Sequence, residues 1–204
     1  MRKTITLLLL TFSFGLTFSQ YKQEEYQKYP EQKIFPKQKF DLAAAKSALS
    51  YGTTTVTGRA FAREKNQYGF KAGNRIFADH MTVELFPFTP YFEEWYNLKK
   101  KEENIKKNKF VFMDTDAYKY RLTCETNARG EFTFPKMKPG KYIIVGNLNW
   151  SKTGSYNEYT GSGYNSYGRI DYYDKKYYTE KYNDFLMQII EVKPGETETK
   201  VKLK

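Results

Sequence analysis

Residues 120 to 146 read Tyr120-Arg121-Leu122-Thr123-Cys124-Glu125-Thr126-Asn127-Ala128-Arg129-Gly130-Glu131-Phe132-Thr133-Phe134-Pro135-Lys136-Met137-Lys138-Pro139-Gly140-Lys141-Tyr142-Ile143-Ile144-Val145-Gly146. Two turn signals interrupt the stretch, Asn127-Ala128-Arg129-Gly130 and Lys138-Pro139-Gly140. Gly adopts positive φ without steric cost and Pro presets the first turn position. The runs at about 119–126, 131–135 and 141–147 have strand character, so an antiparallel meander is expected. Phe132 and Phe134 share one face of their strand and are expected to fill a core. Tyr142 is placed to set its ring at the core edge with its hydroxyl at the rim. Gly130, Phe132, Phe134, Pro139, Gly140 and Tyr142 thus have folding roles, and the stretch is the structural keel of the chain rather than a seat of chemistry.

Working outward, Thr53 to Ala62 is rich in β-branched residues, with Val56, Gly58, Ala60 and Ala62 on one face, and reads as the first strand. Asn66 to Asn74 reads as a loop; Met81 to Pro87 alternates cleanly and reads as a second strand. Phe110 to Met113 suggests a short strand, and Phe185 to Val192 and Thr197 to Leu203 form two more, joined by Lys193-Pro194-Gly195-Glu196. About seven short strands with Pro-Gly turns define an all-β, single Greek-key sandwich. Asp41 is an N-cap candidate for a short helix over Leu42 to Leu49, stopped by Gly52. A second, weakly amphipathic helix is expected over roughly 92 to 107, resting on the sandwich edge.

Arg2 and Lys3, the apolar run from Leu7 through Leu16, and Thr17-Phe18-Ser19 form a secretory signal over residues 1–19. Residues 20–52 read as a flexible leader ending in the short helix, because Gln, Lys, Glu and Tyr with Pro30 and Pro36 supply little apolar surface. The sandwich domain spans 53–204, with insertions at about 88–118 and 151–182. Export places the protein in the periplasm, at the cell surface or in the medium, with no membrane span once the signal is cleaved.

The chain of 204 residues has 34 basic and 23 acidic side chains; without Arg2 and Lys3 its charge is about +9. In an exported protein this excludes nucleic acid as the natural partner and points to an envelope protein or polysaccharide, anionic ones suiting the charge best. Cys124 is the one cysteine, so no internal disulfide staples the fold, and it reads as a small core residue rather than a reactive thiol. His80 beside Asp79 has no second histidine and no paired nucleophile, and Asp114 with Asp116 and Asp171 with Asp174 are only fragments of a Ca²⁺ loop. No catalytic residue, metal site or cofactor is expected.

Residues 151–182 hold nine of the 19 tyrosines, interleaved with Gly154, Gly161, Gly163 and Gly168. Aromatic area among small residues is the composition of an adaptable binding surface. Tyr164, Tyr167, Tyr172, Tyr173, Tyr177 and Tyr178 are the candidate binding residues of this tyrosine-rich loop, 156–182. Two readings stand. In one the tyrosines pack against the sheet and the protein has a structural or protein-interaction role at the envelope; in the other two or three exposed rings stack on sugar faces.

The block Thr126 to Phe134 followed by Met137-Lys138-Pro139-Gly140-Lys141-Tyr142 resembles the signature of the carboxypeptidase regulatory-like domains: a Thr, a polar turn with Gly, a Phe pair, then Pro-Gly-x-Tyr. Val56 to Ala60 and Met81 to Leu85 resemble that family's first two strands, and Ile189 to Leu203 its closing hairpin. The resemblance implies a transthyretin-like sandwich acting as a non-catalytic interaction module of an exported protein. One branch of that fold hydrolyses a urate derivative with histidines, an arginine and a terminal Tyr-Arg-Gly-Ser; here there is His80 alone and the sequence closes on Val201-Lys202-Leu203-Lys204, so a hydrolase is the remote alternative.

Overall fold

A computed structural model describes residues 29–204 except Gln67 and Gly69. Residues 1–19, read as a secretory signal, and the expected leader up to residue 28 lie outside the described residues. All the elements belong to the compact unit Glu31–Lys204. In order they are β1 (Gln32–Ile34), α1 (Leu42–Ala48), β2 (Thr54–Lys65), β3 (Lys71–Phe77), β4 (Thr82–Pro87), α2 (Pro90–Lys101), β5 (Lys109–Val111), α3 (Thr115–Tyr118), β6 (Leu122–Glu125), β7 (Glu131–Met137), β8 (Gly140–Asn165), β9 (Gly168–Val192) and β10 (Glu198–Leu203).

The protein is mostly β. In the first sheet β2 is central: β10 runs parallel to its first half, β7 pairs antiparallel on the other side, and β3 takes over its second half. The second sheet has the order β6-β4-β8-β9, antiparallel throughout. The inner faces meet in one core, where Val56, Ala60, Phe132, Phe134, Val201 and Leu203 oppose Val83, Leu85, Tyr142, Ile144, Leu186 and Ile190.

A third layer covers the outer face of the second sheet. Ile143 and Val145, which alternate with Tyr142 and Ile144 along β8, pack with Phe86 against Tyr91, Phe92 and Trp95 of α2 and with Val111 and Ala117. The helix therefore lies on a sheet face rather than on the sandwich edge. It also stops at Lys101, short of the expected 107, because its apolar side chains end at Leu98; Ile105, in a 3-10 turn beyond it, is exposed.

The leader's last part is structured. β1 pairs in parallel with β5, and Phe40 packs edge-on against Tyr91 and Phe92. Asp41 caps α1 by accepting from the Ala44 N–H at 3.0 Å. The segment read as a loop, Asn66 to Asn74, contains the first four residues of β3; Lys71, Ala72, Gly73 and Asn74 have low strand propensity and join β2 through the Lys65↔Lys71 pair, next to a register shift between Arg63 and Lys65.

Of the residues read as the keel, Phe132, Phe134 and Tyr142 are buried in the core. Gly130 has φ of +71°, and a Cβ there would overlap the carbonyl oxygen of Ala60. Thr126, buried, donates its hydroxyl to the Ala78 carbonyl at 2.6 Å and accepts from Met81 N–H at 2.8 Å, tying the turn before β4 to the end of β6. The Tyr142 hydroxyl, buried with its ring, shares its proton between the carbonyls of Lys138 (2.7 Å) and Ala48 (3.1 Å), and burial pushes its pKa up. Burial likewise raises the Cys124 thiol to about 11, against a smaller opposing hydrogen bond from the Thr133 backbone.

Candidate functional site

The tyrosine-rich segment is a β-ribbon, not a loop. β8 and β9 pair in register from Gly140↔Val192 to Asn165↔Gly168, with one bulge between Tyr159 and Gly161. Their roots sit in the second sheet; beyond Trp150↔Tyr182 neither strand pairs with any other described strand. At about 3.3 Å per residue, the fifteen steps from Trp150 to Asn165 carry the ribbon roughly 50 Å outward. At its tip Asn165 accepts from Tyr167 N–H at 2.9 Å, and Gly168 supplies φ of +125° for the turn.

Directly paired residues of antiparallel strands point to the same side, so the ribbon has two faces. The first continues the core-facing side of the sheet: Trp150 with Tyr182, Lys152 with Glu180, Gly154 with Tyr178, Tyr156 with Lys176, and Gly161 with Tyr172. The second holds Ser155 with Tyr177, Asn157 with Lys175, Tyr159 with Tyr173, and Tyr164 with Arg169.

The first face is built in a particular way. Trp150 and Tyr182 stack with centroids 4.2 Å apart and planes 15° apart. Trp150 Nε1 donates to Asp184 Oδ2 at 2.9 Å, and Lys71 of β3 meets the other oxygen at 3.0 Å. Burial pushes the Asp184 carboxyl up, but Trp150 and Lys71 together outweigh it and hold the pKa below the usual aspartate value. Lys152 reaches Glu64 of β2 at 3.5 Å, so two ion pairs brace the ribbon's root against the β2–β3 hairpin.

Farther out, the rings lie across glycines. A Cβ on Gly154 would overlap the Tyr178 ring, and one on Gly163 would come within 2.9 Å of the Tyr172 hydroxyl. Tyr156 lies beside Tyr178 at 6.4 Å with planes 42° apart. The same device operates in the core, where the Phe132 ring covers its register partner Gly58. In the core it closes a gap; on the ribbon the phenol ends of Tyr178 and Tyr172 reach over Gly154 and Gly163 while both side chains stay open to solvent, Tyr178 being 47% and Tyr172 53% exposed.

The second face carries Tyr159 and Tyr173 edge to face at 5.7 Å, with the Arg169 guanidinium 3.4 Å from the Tyr159 hydroxyl and Lys175 above the Tyr177 ring. The six candidate tyrosines are therefore not one platform. Tyr172 and Tyr178 share the first face, Tyr164, Tyr173 and Tyr177 the second, and Tyr167 stands at the tip, 96% exposed. The sequence reading missed Trp150, Tyr156 and Tyr182 as partners; alternation along β9 places Tyr182 on the face of Tyr172 and Tyr178, and the bulge between Tyr159 and Gly161 brings Trp150 and Tyr156 of β8 onto that same face.

The other charged motifs are not assembled into sites. His80 Nδ1 lies 2.6 Å from Asp79 with both side chains exposed, Asp116 pairs with Lys119, and Asp171 pairs with Arg169. Among the described residues no group of His, Cys, Asp and Glu is disposed to hold a metal ion, and no helix is long and apolar enough to cross a membrane.

No protein-family model matches the chain, and no curated protein matches it in sequence. Among solved structures, the fold is similar to that of a Pseudomonas aeruginosa protein described as a "putative carbohydrate binding protein", with a TM-score of 0.52 and 16% identity over 83% of this chain and 98% of that one. The likeness is one of fold.

Proposed function

We propose that the chain is a non-catalytic carbohydrate-binding module of the cell envelope or exterior, exported by its N-terminal signal, on a transthyretin-like Greek-key sandwich of the carboxypeptidase regulatory-like kind. The ribbon is its binding element. The observation that carries this is the first ribbon face, where the phenol ends of Tyr178 and Tyr172 sit over Gly154 and Gly163 and about half of each side chain is open to solvent. Sugar rings present C–H-rich faces, and a preordered, exposed aromatic plane receives them with little loss of side-chain entropy. A purely structural ribbon would pack its tyrosines against a sheet; these stand clear of both. The fold likeness to a protein described as carbohydrate binding agrees with this reading.

The test is co-sedimentation with insoluble cell-wall polysaccharides and affinity electrophoresis in gels cast with soluble neutral ones. The full chain is expected to be retained, and Tyr156→Ala, Tyr172→Ala and Tyr178→Ala together to release it. Retention unchanged by the triple substitution would remove the ribbon from the account.

A protein-interaction role is the second reading, supported by β9 forming the edge of the second sheet with its outer side unpaired along the ribbon. It requires a stable complex that survives the triple tyrosine substitution.

A further inference from the structure

The outward face of the first sheet uses none of the ribbon's residues and has a different chemistry. It forms an open groove of about 800 Å³ whose charged lining residues are Arg59, Arg75, Lys200 and Lys202 against one carboxylate, Glu131. Arg59 satisfies Glu131, with which it forms an ion pair, and Lys200 lies 3.6 Å from Glu198. Arg75 and Lys202 have no ion-pair partner among the described residues.

Sheet register makes this arrangement costly. Lys202 is the parallel-strand partner of Arg59, and Arg75 is directly opposite Arg63. Like charges on directly paired positions destabilise a sheet. Between these two rows lies the Phe61↔Phe77 pair, and the arginines are laid on its rings: Arg75 is 5.2 Å from the Phe61 centroid and Arg59 5.6 Å from that of Phe77. Stacking on an aromatic face fixes a guanidinium plane and leaves its N–H edge free for a planar anion. Two crowded cation pairs around an aromatic pair are a surface that a bound anion would stabilise.

One small anion cannot satisfy it. Lys202 on β10 and Arg75 on β3 flank β2 on opposite sides, two strand spacings apart across the sheet and, being level with Arg59 and Arg63 of β2, four residues apart along it, which places their backbones roughly 16 Å apart. A ligand that reaches both carries repeated negative charge. Arg prefers planar, bidentate partners, which carboxylates are, and the groove floor adds the hydroxyl of Thr133, while that of Thr57 is taken up by Glu198 at 2.7 Å. We infer that the outward face of the β10-β2-β3 sheet binds a linear polysaccharide bearing carboxylate groups, laid across the strands with acid groups at Arg75 and Lys202.

The experiment is calorimetric titration of the full chain with polygalacturonate, with poly-glutamate and neutral dextran as comparison polymers. Arg75→Gln with Lys202→Gln is expected to weaken polygalacturonate binding at least tenfold. Lys106→Gln with Lys107→Gln, which removes the same charge from an exposed 3-10 turn, is expected to leave it within twofold. Thermal melts of both variants confirm folding. Absence of polygalacturonate binding by the wild type, or equal losses in the two double variants, would overturn the assignment; so would poly-glutamate bound as tightly as polygalacturonate and equally sensitive to Arg75 and Lys202. Because no ribbon tyrosine is altered, failure here leaves the ribbon's neutral-glycan binding standing, and the reverse holds equally.

Discussion

Gly130→Ala tests the keel most sharply, because two separable costs meet at one atom. The residue has φ of +71°, a left-handed conformation that costs a residue with Cβ about 1–2 kcal/mol. The added Cβ would also overlap the Ala60 carbonyl oxygen, and that oxygen is engaged: it accepts from Ala78 N–H at 3.0 Å, while Ala60 N–H donates to the Gly130 carbonyl at 2.7 Å. Moving the strands apart weakens both bonds, at about 1 kcal/mol each. The sum is about 3–4 kcal/mol. Gly195→Ala isolates the first cost, since Gly195 has φ of +83° but open space around a Cβ, and about 1–2 kcal/mol is expected there. Urea denaturation followed by far-UV circular dichroism gives both values. A loss for Gly130→Ala no larger than for Gly195→Ala would refute the argument that the strands close on this glycine.

Two further outcomes follow from titrating groups. Burial raises Cys124 to about 11, so at pH 8 its alkylation by iodoacetamide in the folded protein should be roughly a hundredfold slower than that of a free thiol of ordinary pKa near 8.5; rates measured by mass spectrometry check this. Asp184 has its pKa held below the unfolded value by Trp150 and Lys71 despite burial, so its contribution is present above about pH 4 and lost as pH falls through the lower folded pKa. Acid titration of tryptophan fluorescence should show a transition below pH 4 that Asp184→Asn abolishes.

How much of this was legible in the sequence depends on what each strand faces. β2, β4, β7 and β10 each have one face in the core, so alternation marks them, and the turns at Gly130 and Pro139-Gly140 set their connections. β3 and the outer ribbon lack that signal: with solvent on both sides, hydrophobic alternation has no physical cause, and Tyr, Gly, Ser and Lys read as loop. The helical layer had a cue in the unbroken run Tyr142-Ile143-Ile144-Val145, since a strand apolar on both faces must be covered on both. Phe40 was the corresponding cue in the leader, an aromatic ring amid polar sequence that finds its place against α2. For the ribbon, composition located the candidate tyrosines, but only pairing register sorts them into faces, and register depends on the bulge at Tyr159–Gly161, which no local residue pattern announces.

That sorting is open to direct measurement. Calorimetric titration of the neutral polysaccharide that retains the full chain should be run on two double variants with unchanged melting temperature, Tyr172→Ala with Tyr178→Ala from the first face and Tyr173→Ala with Tyr177→Ala from the second. Loss of two stacking rings at more than about 1 kcal/mol each predicts at least a tenfold weaker Kd for the first variant and a Kd within about twofold of wild type for the second. Equal weakening in both, or a larger loss from the second face, would contradict the claim that the rings set over Gly154 and Gly163 form the binding surface.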